Sequence, residues 1–245
     1  MKRLAMQGLT VGSVATLLAV AIISAFGITV ANPAPAAADD SLDARHLVEK
    51  SKLTFDTFVA SREMDAFRNL LKRARGVFIA PQVVKGAFIF GVSGGSGVLV
   101  ARDSQTGQWN GPTFYTIGEA SFGLQAGGQA SQLVFVAMTE RGVSALLSSS
   151  VKLGADIGVA VGPVGVGAKA STANLSADIL SFSLSQGLYG GISIDGAVVA
   201  TRGDWNSAYY KKGGVTPTDI LIRKSVSNQH ATGLINAVAK AARAK

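Results

Sequence analysis

The sequence predicts an α+β domain in which N-terminal helices pack on a glycine-rich, mainly antiparallel and bent sheet or partial barrel, with C-terminal helices completing the fold. Three observations predict it. Amphipathic helical periodicity precedes residue 76, glycine-punctuated apolar runs fill residues 76–201, and helix start signals return after residue 202. The connections between the runs are short, which favours antiparallel neighbours because parallel strands need long crossovers.

The length suits one large domain or two small ones, and we predict a single domain over residues 39–245. The 245 residues are 48% hydrophobic and 16% charged, which is enough to bury a sizeable core. The absence of cysteine excludes disulfides, thiol catalysis, a lipoprotein anchor and cysteine-ligated zinc. The two histidines, His46 and His230, lie far apart in sequence, so we predict neither a metal nor a cofactor, although carboxylate sites remain open.

Residues 1–38 have the three regions of a secretory signal peptide. Lys2 and Arg3 precede an apolar stretch that reaches Val30, and a small-residue segment predicts cleavage after Ala38. Loss of two of the 23 basic residues leaves 21 against 15 acidic ones in a periplasmic or secreted, peripherally membrane-associated chain. The alternative is an uncleaved membrane anchor, because the apolar stretch approaches the ~20 residues that a spanning helix needs.

The chain from Asp40 has the periodicity of an amphipathic helix. Its main face is formed by Ala44, Leu47, Val48, Ser51, Phe55, Phe58 and Val59. Leu42 and Leu53 fall on the opposite face, which leaves apolar surface outside the main stripe. This surface either packs within the domain or meets a membrane or a partner.

A second helix is predicted after Ser61, a residue type that caps helix N-termini. Its apolar stripe is Met64, Phe67, Leu71 and Ala74. Projection at about 100° per residue places Arg68, Lys72 and Arg75 along one flank. Like charges at these spacings repel one another unless solvent or anions screen them. The flank is therefore either a solvated face or an anion-binding surface.

The core begins at Val77–Val100, which reads VFIAPQVVKGAFIFGVSGGSGVLV. Its apolar runs are separated by Gly, Pro and one Lys, which is typical of buried strands joined by tight or bulged turns. We predict a turn cluster at residues 107–112 and a short helix at Thr139–Leu147. Further strands are predicted at Thr113–Ile117, Ser121–Ala126, Gln132–Ala137, Lys152–Gly162, Val164–Ala170, Ser176–Ser183 and Leu188–Ile194.

The C-terminal part carries two helix start signals. Asp204 is predicted to cap a helix that stops at Gly213. Thr216, followed by Pro217 and by an acid at Asp219, predicts the next helix. The last helix has an apolar face formed by Ala231, Leu234, Ile235 and Val238.

The sequence GVSGG around Ser93 matches the nucleophile elbow of serine hydrolases, and Asp219 and His230 follow in the order of a triad. An elbow must lead into a helix, whereas this segment leads into the strand pattern Val98–Val100. We therefore interpret Ser93 as part of a bulged hairpin turn and predict that the protein is not an enzyme.

The runs VFIAPQVVKGAFIFGVSGGSGVLV, LGADIGVAVGPVGVGAKAST and DWNSAYY resemble, in order and spacing, the SYLF lipid-binding domain family. The resemblance extends from Leu42 to the C-terminus. It implies binding of anionic lipid, with actin binding in some eukaryotic members and no established enzymatic activity. An exported bacterial member should meet neither inner-leaflet phosphoinositides nor actin, so any anionic envelope lipid fits.

These observations together predict a non-enzymatic module that binds anionic phospholipid at the bacterial envelope. Arg68, Lys72 and Arg75 are its lipid-binding candidates, with Arg73 and Lys85 as secondary ones. Nucleic acid is not an expected partner, because the cations are dispersed beyond Lys85 and no recognition motif is present. The alternative is a structural or protein-interaction domain that docks an envelope partner through the apolar surface of the first helix.

Overall fold

Six α-helices and nine β-strands form the part of the chain described by a computed structural model, which comprises residues 37–87, 90–122, 127–166, 176–185, 188–190 and 194–244. All of it belongs to one compact unit, Ala37–Lys245. The predicted signal peptide lies outside the described residues except for its last two positions. The helices are α1 (Ala37–Ala60), α2 (Asp65–Leu71), α3 (Glu140–Leu146), α4 (Gly203–Tyr210), α5 (Pro217–Leu221) and α6 (Thr232–Arg243).

The strands form one mixed sheet in the order β5-β9-β3-β2-β1-β4-β7-β6, with β8 paired to β7. They are β1 (Gly76–Ala87), β2 (Phe90–Arg102), β3 (Trp109–Phe122), β4 (Gly127–Ala137), β5 (Ser150–Lys152), β6 (Val159–Val161), β7 (Ile179–Ser185), β8 (Leu188–Gly190) and β9 (Val198–Thr201). The β6–β7 pair is parallel, and the other described pairs are antiparallel. The sheet curls into a half-barrel with helices at both chain ends, which confirms the predicted α+β class.

The N-terminal helices pack on the sheet through aromatic rings. Phe67 of α2 lies with its ring centroid 6.1 Å from Phe55, 5.9 Å from Phe58 and 5.1 Å from Phe182 of β7. All four side chains are fully buried. The predicted main face of α1 is buried apart from the partly exposed Val59, which confirms its helical period.

The predicted caps at Ser61 and Thr216 are confirmed, and Thr139 caps α3. Ser61 caps a short 3-10 helix, Arg62–Met64, that leads into α2 at Asp65. The hydroxyl oxygens of Ser61, Thr139 and Thr216 accept hydrogen bonds from the backbone N–H groups of Glu63, Gly142 and Asp219. These hydroxyls satisfy N–H groups that the first helical turn leaves without partners. Asp204 was wrongly predicted as a cap, because α4 begins one residue earlier, at Gly203, after Arg202.

Several strand boundaries were wrong because bulges and strand pairing decided them. Ser93 lies within β2, opposite Lys85 of β1 and Glu119 of β3, and not in a turn. The strands predicted at Thr113–Ile117 and Ser121–Ala126 belong in their described part to one strand, β3, which also takes in residues 109–112 of the predicted turn cluster. A register shift between β2 and β3 leaves Gly111, which has a φ of 125°, between the paired residues Asn110 and Thr113, so pairing continues on both sides of it.

The strand predicted at Lys152–Gly162 is instead two short strands joined by a turn. The Asp156 N–H donates to the Lys152 carbonyl at 2.9 Å, and Gly154 adopts a φ of 83°. The predicted strand Val164–Ala170 is also wrong where it is described, at residues 164–166. β9 was not predicted, because its four residues are too few for an alternating pattern to stand out.

A candidate anion-binding cleft

A polar cleft of about 360 Å³ opens where the end of α2 meets the start of β1 and the end of β2. Its lining is Lys72, Arg73, Arg75, Arg102, Asp103, Ser104, Gly107 and Met138. We call the site of the four cations the basic cleft. It brings together three of the five predicted site residues and adds Arg102.

Backbone hydrogen bonds fix the positions of these cations. The Arg75 N–H donates to the Ala137 carbonyl of β4 at 2.8 Å, and the Arg102 N–H donates to the Arg75 carbonyl at 2.8 Å. The predicted placement of Arg75 on a helical flank is therefore wrong. α2 ends at Leu71, and Arg75 is the residue directly before β1.

The positive charge of the basic cleft is only partly neutralised. The Arg102 guanidinium donates to the carbonyls of Gly107 at 3.3 Å and Lys72 at 3.5 Å, and these acceptors carry no formal charge. The Lys72 ammonium donates to the Asn69 amide oxygen at 3.3 Å. In the described part of the chain, the ion pairs join none of Lys72, Arg73 and Arg102 to a carboxylate. Arg75 lies 3.6 Å from Glu140.

The carboxylate of the lining, Asp103, is neutralised separately. The Lys224 ammonium lies 2.5 Å from one carboxylate oxygen, while Thr106 and Gln105 donate hydrogen bonds to the other. The hydrogen bond from Lys224 is the largest of the effects that hold the pKa of Asp103 far below its usual range. With Lys224 and Glu140 included, five cations face two carboxylates, a surplus of three positive charges.

The other two predicted site residues lie outside the lining of the basic cleft. Arg68 donates to the carbonyls of Val59, at 2.9 Å, and Ser61, and it pairs with Asp65. Lys85 lies in the outer half of β1, nine residues after the start of the strand at Gly76.

Arg102 was missed because its position depends on strand pairing. In the β1–β2 hairpin, Gly76 pairs with Ala101, so the residue before β1 and the last residue of β2 become neighbours. The sequence does place a cation directly after the apolar run that ends β2. To predict Arg102 as part of the site, one would have had to know the register of β1 with β2.

Ser93, Asp219 and His230, which follow one another in the order of a hydrolase triad, do not form one in the structure. The carboxylate of Asp219 bonds to Thr216 and Arg223, which lower its pKa to about 2. The His230 ring bonds to Tyr209 at 3.2 Å and to Glu49 at 3.1 Å. Neither residue has Ser93 among these partners, and β2 continues past Ser93 as a strand.

The His, Asp and Glu side chains of the described residues include no group of three placed to hold a metal ion. No helix in this part of the chain combines the length and the hydropathy needed to cross a bilayer.

The fold and the cleft define an α+β domain with a basic surface cleft. The chain belongs to the Ysc84 family, described as Las17-binding protein actin regulators, whose profile matches residues 118–241, just over half of the 245 residues. This match confirms the resemblance to the SYLF family. Because it begins at residue 118, the four cations of the basic cleft lie before it.

Curated relatives are similar over part of the chain. Protein YSC84 of Saccharomyces cerevisiae is 34% identical over 146 residues, 58% of this chain and 31% of the relative. LAS seventeen-binding protein 3 of the same species is 32% identical over the same shares, and SH3 domain-containing YSC84-like protein 1 of Homo sapiens is 31% identical over 58% of this chain and 42% of its own length. The chain thus spans less than half of the length of these relatives, one of which is named as a binding protein.

Proposed function

We propose that the protein is a non-enzymatic module that binds anionic phospholipid at a bacterial envelope through its basic cleft. The observation that carries the proposal is the surplus of three positive charges around one polar cleft. Basic side chains near an anionic membrane surface contribute about 1 kcal/mol each. The lipid class comes from the resemblance to the SYLF family.

The cleft suits a headgroup better than an acyl chain. Of its lining residues, Met138 is the one with a long apolar side chain, and the others offer charged groups, a hydroxyl or backbone. The planar guanidinium group of arginine can donate two parallel hydrogen bonds to the oxygens of one phosphate. Arg75 and Arg102, joined by a backbone hydrogen bond, present two guanidinium groups to the same cleft.

Liposome flotation tests the proposal with a triple variant, Lys72→Gln, Arg73→Gln and Arg102→Gln. The loss of three contacts of about 1 kcal/mol each should weaken binding to anionic vesicles about a hundredfold at low salt. The matched control neutralises Arg62, Lys212 and Lys240, three exposed cations outside the lining, and should lose far less. Unchanged binding by a folded cleft variant would show that the proposal is wrong.

A protein-interaction domain is the second candidate function. Leu42 and Leu53 of α1 are 51% and 65% exposed, as predicted for the face opposite the main stripe. Two relatives carry names that describe binding to Las17. Salt separates the candidates, because the Debye length falls from ~10 Å at 0.1 M to ~3 Å at 1 M. Vesicle binding that ignores both salt and lipid charge would favour the second.

The envelope location rests on the N-terminal segment. We infer that export removes residues 1–38 and that the mature chain begins at Asp39, because the segment has the charged, apolar and small-residue regions of a signal peptide. Intact-mass measurement on protein from the native cells checks this. A mass that retains Met1–Ala38 would favour the uncleaved anchor.

A further inference from the structure

The second carboxylate beside the basic cleft, Glu140, is held differently from Asp103. Its contact with Arg75 is 3.6 Å long, which is beyond hydrogen-bonding distance, and both side chains are about half exposed, at 60% and 42%. The Asp103 side chain is 13% exposed and lies 2.5 Å from Lys224. The Asp103 carboxylate is therefore held in place by Lys224, whereas the Glu140 carboxylate is loosely held beside Arg75.

The backbone that carries Glu140 is nevertheless fixed at the edge of the cleft. Glu140 is the first residue of α3, and the residues on either side of it, Thr139 and Arg141, both hydrogen-bond to the buried carboxylate of Asp178. The bond from Arg141 is the main cause of the lowered pKa of Asp178, which keeps this anchor charged. The backbone of Glu140 is thus held at the edge of the cleft, where its side chain lies 3.6 Å from Arg75.

We propose that Glu140 is an affinity- and specificity-determining residue of the basic cleft, an internal anion that competes with anionic ligands and disfavours doubly charged phosphate groups more than singly charged ones. The inference rests on the proposed function and deepens it. Glu140 lowers the charge surplus of the site from four to three. Coulomb energy scales with the charge of the ligand, so the same carboxylate opposes a dianion about twice as strongly as a monoanion.

The ligand chemistry concerned is the phosphate group of a lipid headgroup. A phosphomonoester carries a charge of about −1.5 to −2 near pH 7, whereas a phosphodiester carries one negative charge. Phosphatidic acid and phosphatidylglycerol therefore present the two charges on similar bilayers. Their comparison isolates the effect of Glu140 on charge selectivity.

The test measures affinity for vesicles that contain either lipid, using the wild type, Glu140→Gln and Glu63→Gln. A carboxylate about 4 Å away in a largely aqueous setting opposes one negative charge by roughly fivefold in affinity. Glu140→Gln should thus bind phosphatidylglycerol vesicles about fivefold more tightly and phosphatidic acid vesicles about tenfold to twentyfold more tightly. Glu63 is exposed and outside the lining, so its variant, with the same net charge, should change either affinity less than about twofold.

Soluble glycerol 3-phosphate, which lacks acyl chains, tests whether Glu140 competes with the phosphate group itself. It should displace the wild type and Glu140→Gln from vesicles. In direct titration it should bind Glu140→Gln more tightly than the wild type. Failure to bind or compete would place the vesicle contact elsewhere and overturn the proposal. Equal gains on the two lipids, or gains no larger than those of Glu63→Gln, would also overturn it.

The two proposals fail in different ways. If the wild type binds neither vesicle, the proposed function is wrong and the role of Glu140 falls with it. If binding occurs and the triple cleft variant loses it, but Glu140→Gln matches its control, only the inference about Glu140 is wrong. Circular dichroism on each variant establishes that it is folded, and Gln has nearly the helix propensity of Glu.

Discussion

Arg68 and three of the four cations of the basic cleft come from one cationic stretch of sequence, Arg62–Arg75, yet they use charge in opposite ways. The Arg68 guanidinium binds two carbonyls at the end of α1 and a carboxylate in α2. There the side chain fixes the backbone. At Arg75 and Arg102, by contrast, backbone hydrogen bonds fix residues whose side chains line an open cleft. The spacing of cations in a sequence therefore does not show which of them are available to a ligand.

The largest expected effect that distinguishes the structural role of Arg68 from the proposed binding role of the cleft cations is that of Arg68→Gln. Hydrogen bonds of a charged group contribute about 1.5–3 kcal/mol, and Arg68 is 31% exposed, so we expect the free energy of unfolding to fall by about 1–3 kcal/mol. Urea denaturation measures this loss. Vesicle binding by the folded variant should stay within about twofold of wild type, since Arg68 lies outside the cleft lining and its guanidinium is occupied by Val59, Ser61 and Asp65.

Lys72→Gln is the matched control, one helical turn further along the chain. It should leave the free energy of unfolding within about 0.5 kcal/mol of wild type, as for most exposed substitutions. It should weaken vesicle binding about fivefold, the equivalent of about 1 kcal/mol. The assignment of different roles to Arg68 and Lys72 is wrong if the two variants have the same stability or the same lipid affinity.

The helices could be predicted from the sequence because their signals are local. A cap such as Ser61 acts within three residues, and the stripe of α1 repeats with the helical period. The same method extended α2 to Arg75, because Ala74 continues the apolar period. Ala74 is buried, but it lies in the connection between α2 and β1, and periodicity alone does not distinguish this connection from a further helical turn.

The sheet and the cleft depend on contacts between distant residues, so the sequence predicted less of them. The bulge of β1 between Ile79 and Gln82 shifts its register with β2, and nothing local shows how the partner strand responds. Glycines in β2 also differ in ways that sequence cannot show. A Cβ at Gly97 would lie 2.4 Å from the Phe78 ring, while one at Gly94 would meet nothing closer than 3.9 Å.

The smallest effect is expected at Lys85, the predicted site residue farthest along β1 from the basic cleft. Nine residues of extended strand separate it from Gly76, a distance of about 30 Å at the usual rise per residue. This is about three Debye lengths at 0.1 M salt, so its charge is screened from a ligand in the cleft. Lys85→Gln should therefore change affinity for anionic vesicles less than about twofold in flotation at that salt. A loss comparable to that of Lys72→Gln would show that the outer half of the hairpin also contacts the membrane, and the binding surface would then have to include both ends of the β1–β2 hairpin.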